Sequence, residues 1–113
     1  MAVRAPQVPT QSVNEERFHA ISLSGKLDVG ELLTGTPTIT EINPASPSVL
    51  TITSKAVNTV ALTVNGLTVP IGEAVQCKVV GAGMTPGVRY RILVVCSTDA
   101  GQIVDGEIRF TAA

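Results

Sequence analysis

The residues with most capacity for chemistry are one histidine, two cysteines and nine carboxylates. Nucleophilic or acid–base catalysis needs a base beside a nucleophile and a third group to orient it. His19 stands next to Phe18 in a strand-like segment with no nucleophile motif near it, so it reads as a surface or strand histidine. Cys77 and Cys96 lack the short spacing of a zinc pair, and no second ligand pair exists. Both lie in apolar runs, which points to reduced core thiols in a reducing compartment; a bridge between adjacent strands stays open. Among the carboxylates, Glu15-Glu16 is the one adjacent pair, and Asp105, Glu107 and Arg109 alternate as a solvated strand face does. Asp99 and Asp105 are too isolated for a calcium loop. Gly81 and Gly83 precede neither a helix nor a Lys-Ser/Thr pair, so they are turn glycines and not a phosphate loop. The expected catalytic, metal and cofactor residues are therefore none.

Composition narrows the classes further. Aromatic residues make up 3% of the 113-residue chain, namely Phe18, Tyr90 and Phe110, which gives no platform for stacking sugars or bases. Net charge is −1 and the eight basic residues are scattered, against a nucleic-acid partner. No run of apolar residues is long enough for a membrane helix, and the start, MAVRAPQVPT, has no apolar signal core. The chain is thus expected to be made in a cytoplasm and to stay there or leave inside something larger. Charged residues are only 15%, below the usual ~25% of soluble domains. Such a surface is poorly defended against association, which suits a module covered by neighbours in an assembly.

The bulk is Val, Ile, Leu and Thr, and from Phe18 onward the period is two, with Phe18 and Ala20 alternating with His19 and Ile21. The segment 28–34 is either a strand or one helical turn. Strands follow over 36–43, 48–54 and 57–64, with a turn at 44–47 and a break at Lys55. Asn65-Gly66 is the strongest hairpin signal, since both residues accept the positive φ of a type I′ turn; it leads into 67–71. Further strands run over 74–80, with Val75, Cys77 and Val79 inward, and over 89–98, with Tyr90, Ile92, Val94 and Cys96 on one face. Leu93 and Val95 make the second face of that strand apolar, as in a central strand or an interface. The last strand, 103–111, carries Ile108 and Phe110 inward and a bulge at Gly106. Short strands at this spacing without a convincing helix predict an all-β, immunoglobulin-like antiparallel β-sandwich over residues 18–113.

Residues 1–17 differ. Pro6 and Pro9 lack the N–H of a ladder, so the segment reads as an extended N-terminal arm. A helical turn over 14–17, capped by Ser12 or Asn14, is an alternative at its end. The arm is expected to lie across a neighbouring subunit, with Val3, Arg4, Pro6, Val8, Pro9 and Arg17 as its partner-binding residues. A second local pattern lies in Met84-Thr85-Pro86-Gly87-Val88-Arg89-Tyr90. Pro86 followed by Tyr90 at the entry of a long apolar strand suggests a structural corner in which the tyrosine hydroxyl bonds back to nearby backbone.

Several features occur in a telling order: Gly30-Glu31-Leu32-Leu33-Thr34-Gly35 before the 36–43 strand, Asn65-Gly66-Leu67-Thr68-Val69, the run Val79-Val80-Gly81-Ala82-Gly83-Met84 into Thr85-Pro86-Gly87-Val88-Arg89-Tyr90, and Ser97-Thr98-Asp99-Ala100-Gly101-Gln102. In these the last eighty residues or so resemble a family of bacteriophage virion proteins with an immunoglobulin-like fold, the fibre–tail adaptors. The family's early Asp-Trp pair has no counterpart, for no tryptophan is present, and the arm lies outside the shared pattern. The resemblance implies a non-enzymatic structural protein of a tailed phage particle. Made in the host bacterial cytoplasm, it would be present in many copies in a symmetric assembly and would bind tail, fibre, connector or capsid proteins. A tail/fibre adaptor, a capsid decoration (cement) protein and a host-surface adhesion module are the roles to be separated.

Overall fold

The computed structural model describes residues 10–42 and 50–113. Among the described residues nine strands form the body: β1 (Thr10–Gln11), β2 (Glu16–Ser22), β3 (Leu33–Glu41), β4 (Thr51–Val57), β5 (Leu62–Val64), β6 (Leu67–Val69), β7 (Ala74–Val80), β8 (Arg89–Thr98) and β9 (Ile103–Ala112). One sheet has the order β1-β9-β8-β3 and the facing sheet the order β2-β7-β4, while β5 and β6 make a separate hairpin. Every pairing is antiparallel except β1 with β9, which is parallel. This is an all-β, immunoglobulin-like sandwich.

The two-residue alternation produces the core. Ile92, Val94, Val75, Cys77, Val79 and Phe110 are fully enclosed or nearly so between the sheets. β8 lies between β9 and β3, which accounts for its second apolar face: Leu93 and Val95 are partly covered by flanking strands. Beside them Arg91 Nε lies 2.5 Å and Arg109 Nε 3.1 Å from Glu107 Oε1. The hydrogen bonds from Arg91 and Arg109 hold the Glu107 carboxyl at about 2, well below the usual carboxylate range.

Five local expectations change. The sequence ends the arm at residue 17, but Thr10 and Gln11 pair with Thr111 and Ala112 and Gln11 is fully buried, so the folded body includes residues 10–17. A tight turn, with Glu15 N–H bonded to Ser12 O at 3.0 Å, replaces the alternative helical turn over 14–17. The segment 28–34 is mostly loop, and β3 starts at Leu33. The strand expected over 57–64 is interrupted at Asn58, whereas the break at Lys55 is a register shift inside β4 beside Ser54, at φ 52°. Gly106 is not a bulge: β8 and β9 stay in unbroken register across it. A β-carbon there would come within 2.6 Å of Ile21 Cδ1 and 2.9 Å of Leu23 Cδ2, so glycine lets the two sheets close at this edge. The Asn65-Gly66 turn forms as read, with φ of 51° and 79°. Part of the strand expected over 48–54, the whole turn at 44–47 and the last residue of the 36–43 strand lie outside the described residues.

Candidate interaction surfaces

Three loops meet at one end of the sandwich: the β2–β3 loop (23–32), the β4–β7 connection that carries the hairpin, and the β8–β9 loop (99–102). Polar groups tie them together, Glu31 and Asn58 buried among them. Glu31 accepts from the Asp28 N–H at 2.9 Å and from the Thr98 hydroxyl at 2.5 Å. Leu32 and Asp99 exchange two bonds, Leu32 N–H to Asp99 Oδ1 at 3.0 Å and Asp99 N–H to Leu32 O at 2.9 Å. Leu33 N–H reaches Gly72 O at 2.8 Å. Asn58, also buried, donates to the carbonyls of Val60 and Pro70 and accepts from the N–H groups of Gly72 and Ala74, all within 2.9–3.0 Å. All four hydrogen-bonding sites of its amide are used.

On this fastened frame the apolar side chains point outward. Val29 is completely exposed, and Leu32, Val60 and Ile71 are exposed elsewhere in these loops. Leu32 lies over Gly72, the residue after Ile71; a β-carbon on Gly72 would sit 3.2 Å from Leu32 Cδ2. Bonded loops lose little freedom on docking, and exposed apolar groups gain by leaving water, so the end is suited to binding another protein.

A second surface lies along the side where β2 and β9 are the sheet edges. A cleft of about 820 Å³ runs between them and the hairpin, lined among others by Phe18, Ile21, Leu67, Val69 and Ile108. Phe18 is 60% and Leu67 72% exposed at its rim, and the Lys78 ammonium sits 5.8 Å from the Phe18 ring centre.

The sequence-predicted residues fall as follows. Val3, Arg4, Pro6, Val8 and Pro9 lie outside the described residues. Arg17 is exposed on β2, its guanidinium 4.0 Å from Glu15. Pro86 is exposed in the β7–β8 turn, and Tyr90 opens β8 buried, its hydroxyl accepting from the Thr85 N–H at 2.8 Å. His19 is not on the surface. It is buried, stacks on Phe110 with ring centres 4.6 Å apart, and its Nε2 lies 2.7 Å from Gln11 Oε1. Because Gln11 Nε2 donates to Val79 O at 2.8 Å and to Glu15 O at 2.9 Å, its oxygen faces His19, and the proton is on His19 Nε2. Burial, and then the Arg17 charge, hold the His19 pKa below its ordinary value. Cys77 and Cys96 are free and buried on facing sheets; burial pushes the Cys77 thiol up to about 11 and raises that of Cys96, which keeps both as inert thiols.

Sequence reasoning missed Gln11, Asn58 and the Glu31–Thr98 pair. The interruption of an apolar run at Asn58 was a signal for that residue; nothing near Gln11 marks it as buried. Asp99 is bonded to the Leu32 backbone and Asp105 to Lys26, and among the described residues no three His, Cys, Asp or Glu side chains gather as metal ligands would. Comparison with known protein families, with curated proteins and with solved structures found no match.

Proposed function

We propose that this chain is a structural, non-enzymatic component of a tailed bacteriophage particle that binds neighbouring virion proteins, as a tail or fibre adaptor. The observation that carries the adhesive part is the loop end, where Val29, Leu32, Val60 and Ile71 project from loops tied by the buried Glu31–Thr98 bond and the buried Asn58 bonds to Gly72 and Ala74. Four exposed apolar side chains carried by loops of one end give a neighbour apolar area to cover. The virion part rests on the resemblance carried by the 79–90 run and the 97–102 hairpin. The host-surface role is less favoured, since Phe18 is the one exposed aromatic ring and gives no stacking platform for glycans.

The test is to purify particles made from a genome that encodes the chain, identify it by mass spectrometry and locate it by cryo-electron microscopy. A ring of six or twelve copies at the head–tail or fibre region supports the adaptor reading. Icosahedral positions on the head make it a cement protein, and absence from the particle overturns the reading.

A further inference from the structure

We propose that the loop end of one copy takes the Arg89 side chain of a second copy, so that copies join head to tail. The proposal names a partner for the loop end and rests on the reading of that end as a docking surface. Between the β2–β3 loop and the start of β7 lies a recess of about 260 Å³. Leu27, Val29 and Leu32 give it apolar walls, and Asp28, Glu31 and Glu73 line it with carboxyl groups. Glu31 is the informative member, because it is only 6% exposed. The Thr98 hydroxyl accepts from the Gln102 N–H, so its own proton goes to Glu31 Oε2, while the Asp28 N–H goes to Oε1. Both oxygens accept, which makes the group a carboxylate, and each keeps a further lone pair. Among the described residues no cation pairs with it; Lys26, the basic residue of the same loop, is bonded to Asp105 on β9. A buried charge is costly without a partner, and two neutral donors offset that cost only in part. The recess is therefore suited to a cation with an apolar stem.

Arginine has that form, an aliphatic stem with a planar charged head that meets carboxylates two bonds at a time. Most basic side chains among the described residues are engaged. Arg17 lies beside Glu15, Arg91 and Arg109 share Glu107, and Lys78 sits over Phe18. Arg89 and Lys55 have no ion pair among the described residues, and of the two Arg89 carries the planar fork. It is exposed at the first position of β8, next to Val88, which is 40% exposed and brings apolar area to meet Val29. Arg91 and Arg109 stand opposite each other one pair further along, with Glu107 shared between them, so the surroundings of Arg89 are positive. Carboxylates thus gather at one end of the sandwich and guanidinium groups at the other. The chain cannot fill its own recess. β8 runs from Arg89 to Thr98, and Thr98 is the residue bonded to Glu31. At ~3.3 Å per residue the two ends lie about 30 Å apart, far beyond the reach of one side chain. The contact joins two different patches, so repeated copies build a ring or an open row, and a closed ring agrees with the adaptor reading.

The test is analytical ultracentrifugation of the full chain against protein concentration, at low and at high salt. At low salt the mass is expected to rise above the 11.7 kDa monomer with concentration, and to return towards it at high salt, where charge pairs are screened. Arg89→Ala is expected to weaken association at least tenfold, and Val29→Lys, which sets an ammonium at the recess, by as much. Lys55→Ala removes the same charge from another place and should leave association unchanged. All three residues are exposed, so each variant should melt near the parent. Mixed in equal amounts, Arg89→Ala supplies an intact recess and Val29→Lys an intact Arg89, so the two should form a heterodimer that grows no further. A parent that stays monomeric at every concentration overturns the proposal. So does Arg89→Ala associating like the parent, Lys55→Ala losing as much as Arg89→Ala, or a mixture without heterodimer. If the loop end is still needed for entry into particles when self-association is absent, this proposal falls and the virion reading stands, so the two fail separately.

Discussion

Replacing Gln11 by alanine should destabilise the whole domain, because this one side chain fastens the start of the body to both sheets. It satisfies the buried Val79 carbonyl, the partly buried Glu15 carbonyl and the buried His19 N–H. A buried polar group left without a partner costs about 1–3 kcal/mol. With the Glu15 group discounted because water can reach it, Gln11→Ala should lose about 3–5 kcal/mol. Domains of this size have about 5–15 kcal/mol in all, so the loss is a large fraction. At roughly 4 °C per kcal/mol, Tm should fall by about 12–20 °C. The assay is urea and thermal unfolding followed by circular dichroism, on the full chain, on Gln11→Ala, on a chain lacking residues 1–9 and on one lacking residues 1–12. Loss of 1–9 should leave the urea midpoint where it was, and loss of 1–12 should match or exceed the point mutation. If Gln11→Ala, or the deletion of 1–12, stays within about 1 kcal/mol of the parent, the body does not begin at Thr10 and the account of the Gln11 network is wrong.

Asn58→Ala should cost about 3–5 kcal/mol and deprotect the hairpin amides in hydrogen exchange, since two N–H groups and two carbonyls lose their partner together. Asn58→Asp, which keeps the two acceptor bonds but faces two carbonyls without a donor, should also be destabilised. The His19 pKa is lowered in the fold, so the unfolded chain binds more protons: stability should be full above the ordinary histidine value of 6.5 and decline as pH falls through it. In urea titrations at pH 8 and pH 5, His19→Phe should show a smaller pH-dependent drop than the parent, whatever its absolute stability. Gly106→Ala should cost about 1–3 kcal/mol by overpacking against Ile21 and Leu23, measurable as a lowered urea midpoint.

The parts of the fold legible in the sequence are those governed by local pattern. The inward set on β7 and β8 follows from alternation, and the β5–β6 turn from a residue pair that accepts positive φ. The corner residues Pro86 and Tyr90 could be named because a tyrosine at the entry of a long apolar strand has a specific hydroxyl geometry. The missed features depend on contacts far along the chain. Gln11 is buried because β9 and β7 come to meet it, and its neighbours are prolines and small polar residues that read as an arm. Gly106 reads as a bulge from its own strand alone; the cause is two side chains on the opposite sheet. Val29 and Leu32 resemble strand or helix positions until the Glu31–Thr98 and Leu32–Asp99 bonds show them held as loop. The candidate surfaces were the least legible, since an exposed valine and a buried one are identical as letters.

The most direct measurement of the adhesive account is incorporation of a Val29→Asp/Ile71→Asp double variant into particles, scored against the parent by quantitative mass spectrometry. Both side chains are exposed, so Tm should stay within a few degrees of the parent. Incorporation is predicted to fall at least tenfold. A variant that folds like the parent and enters particles in the same copy number would contradict the claim that the loop end holds this chain to its neighbours.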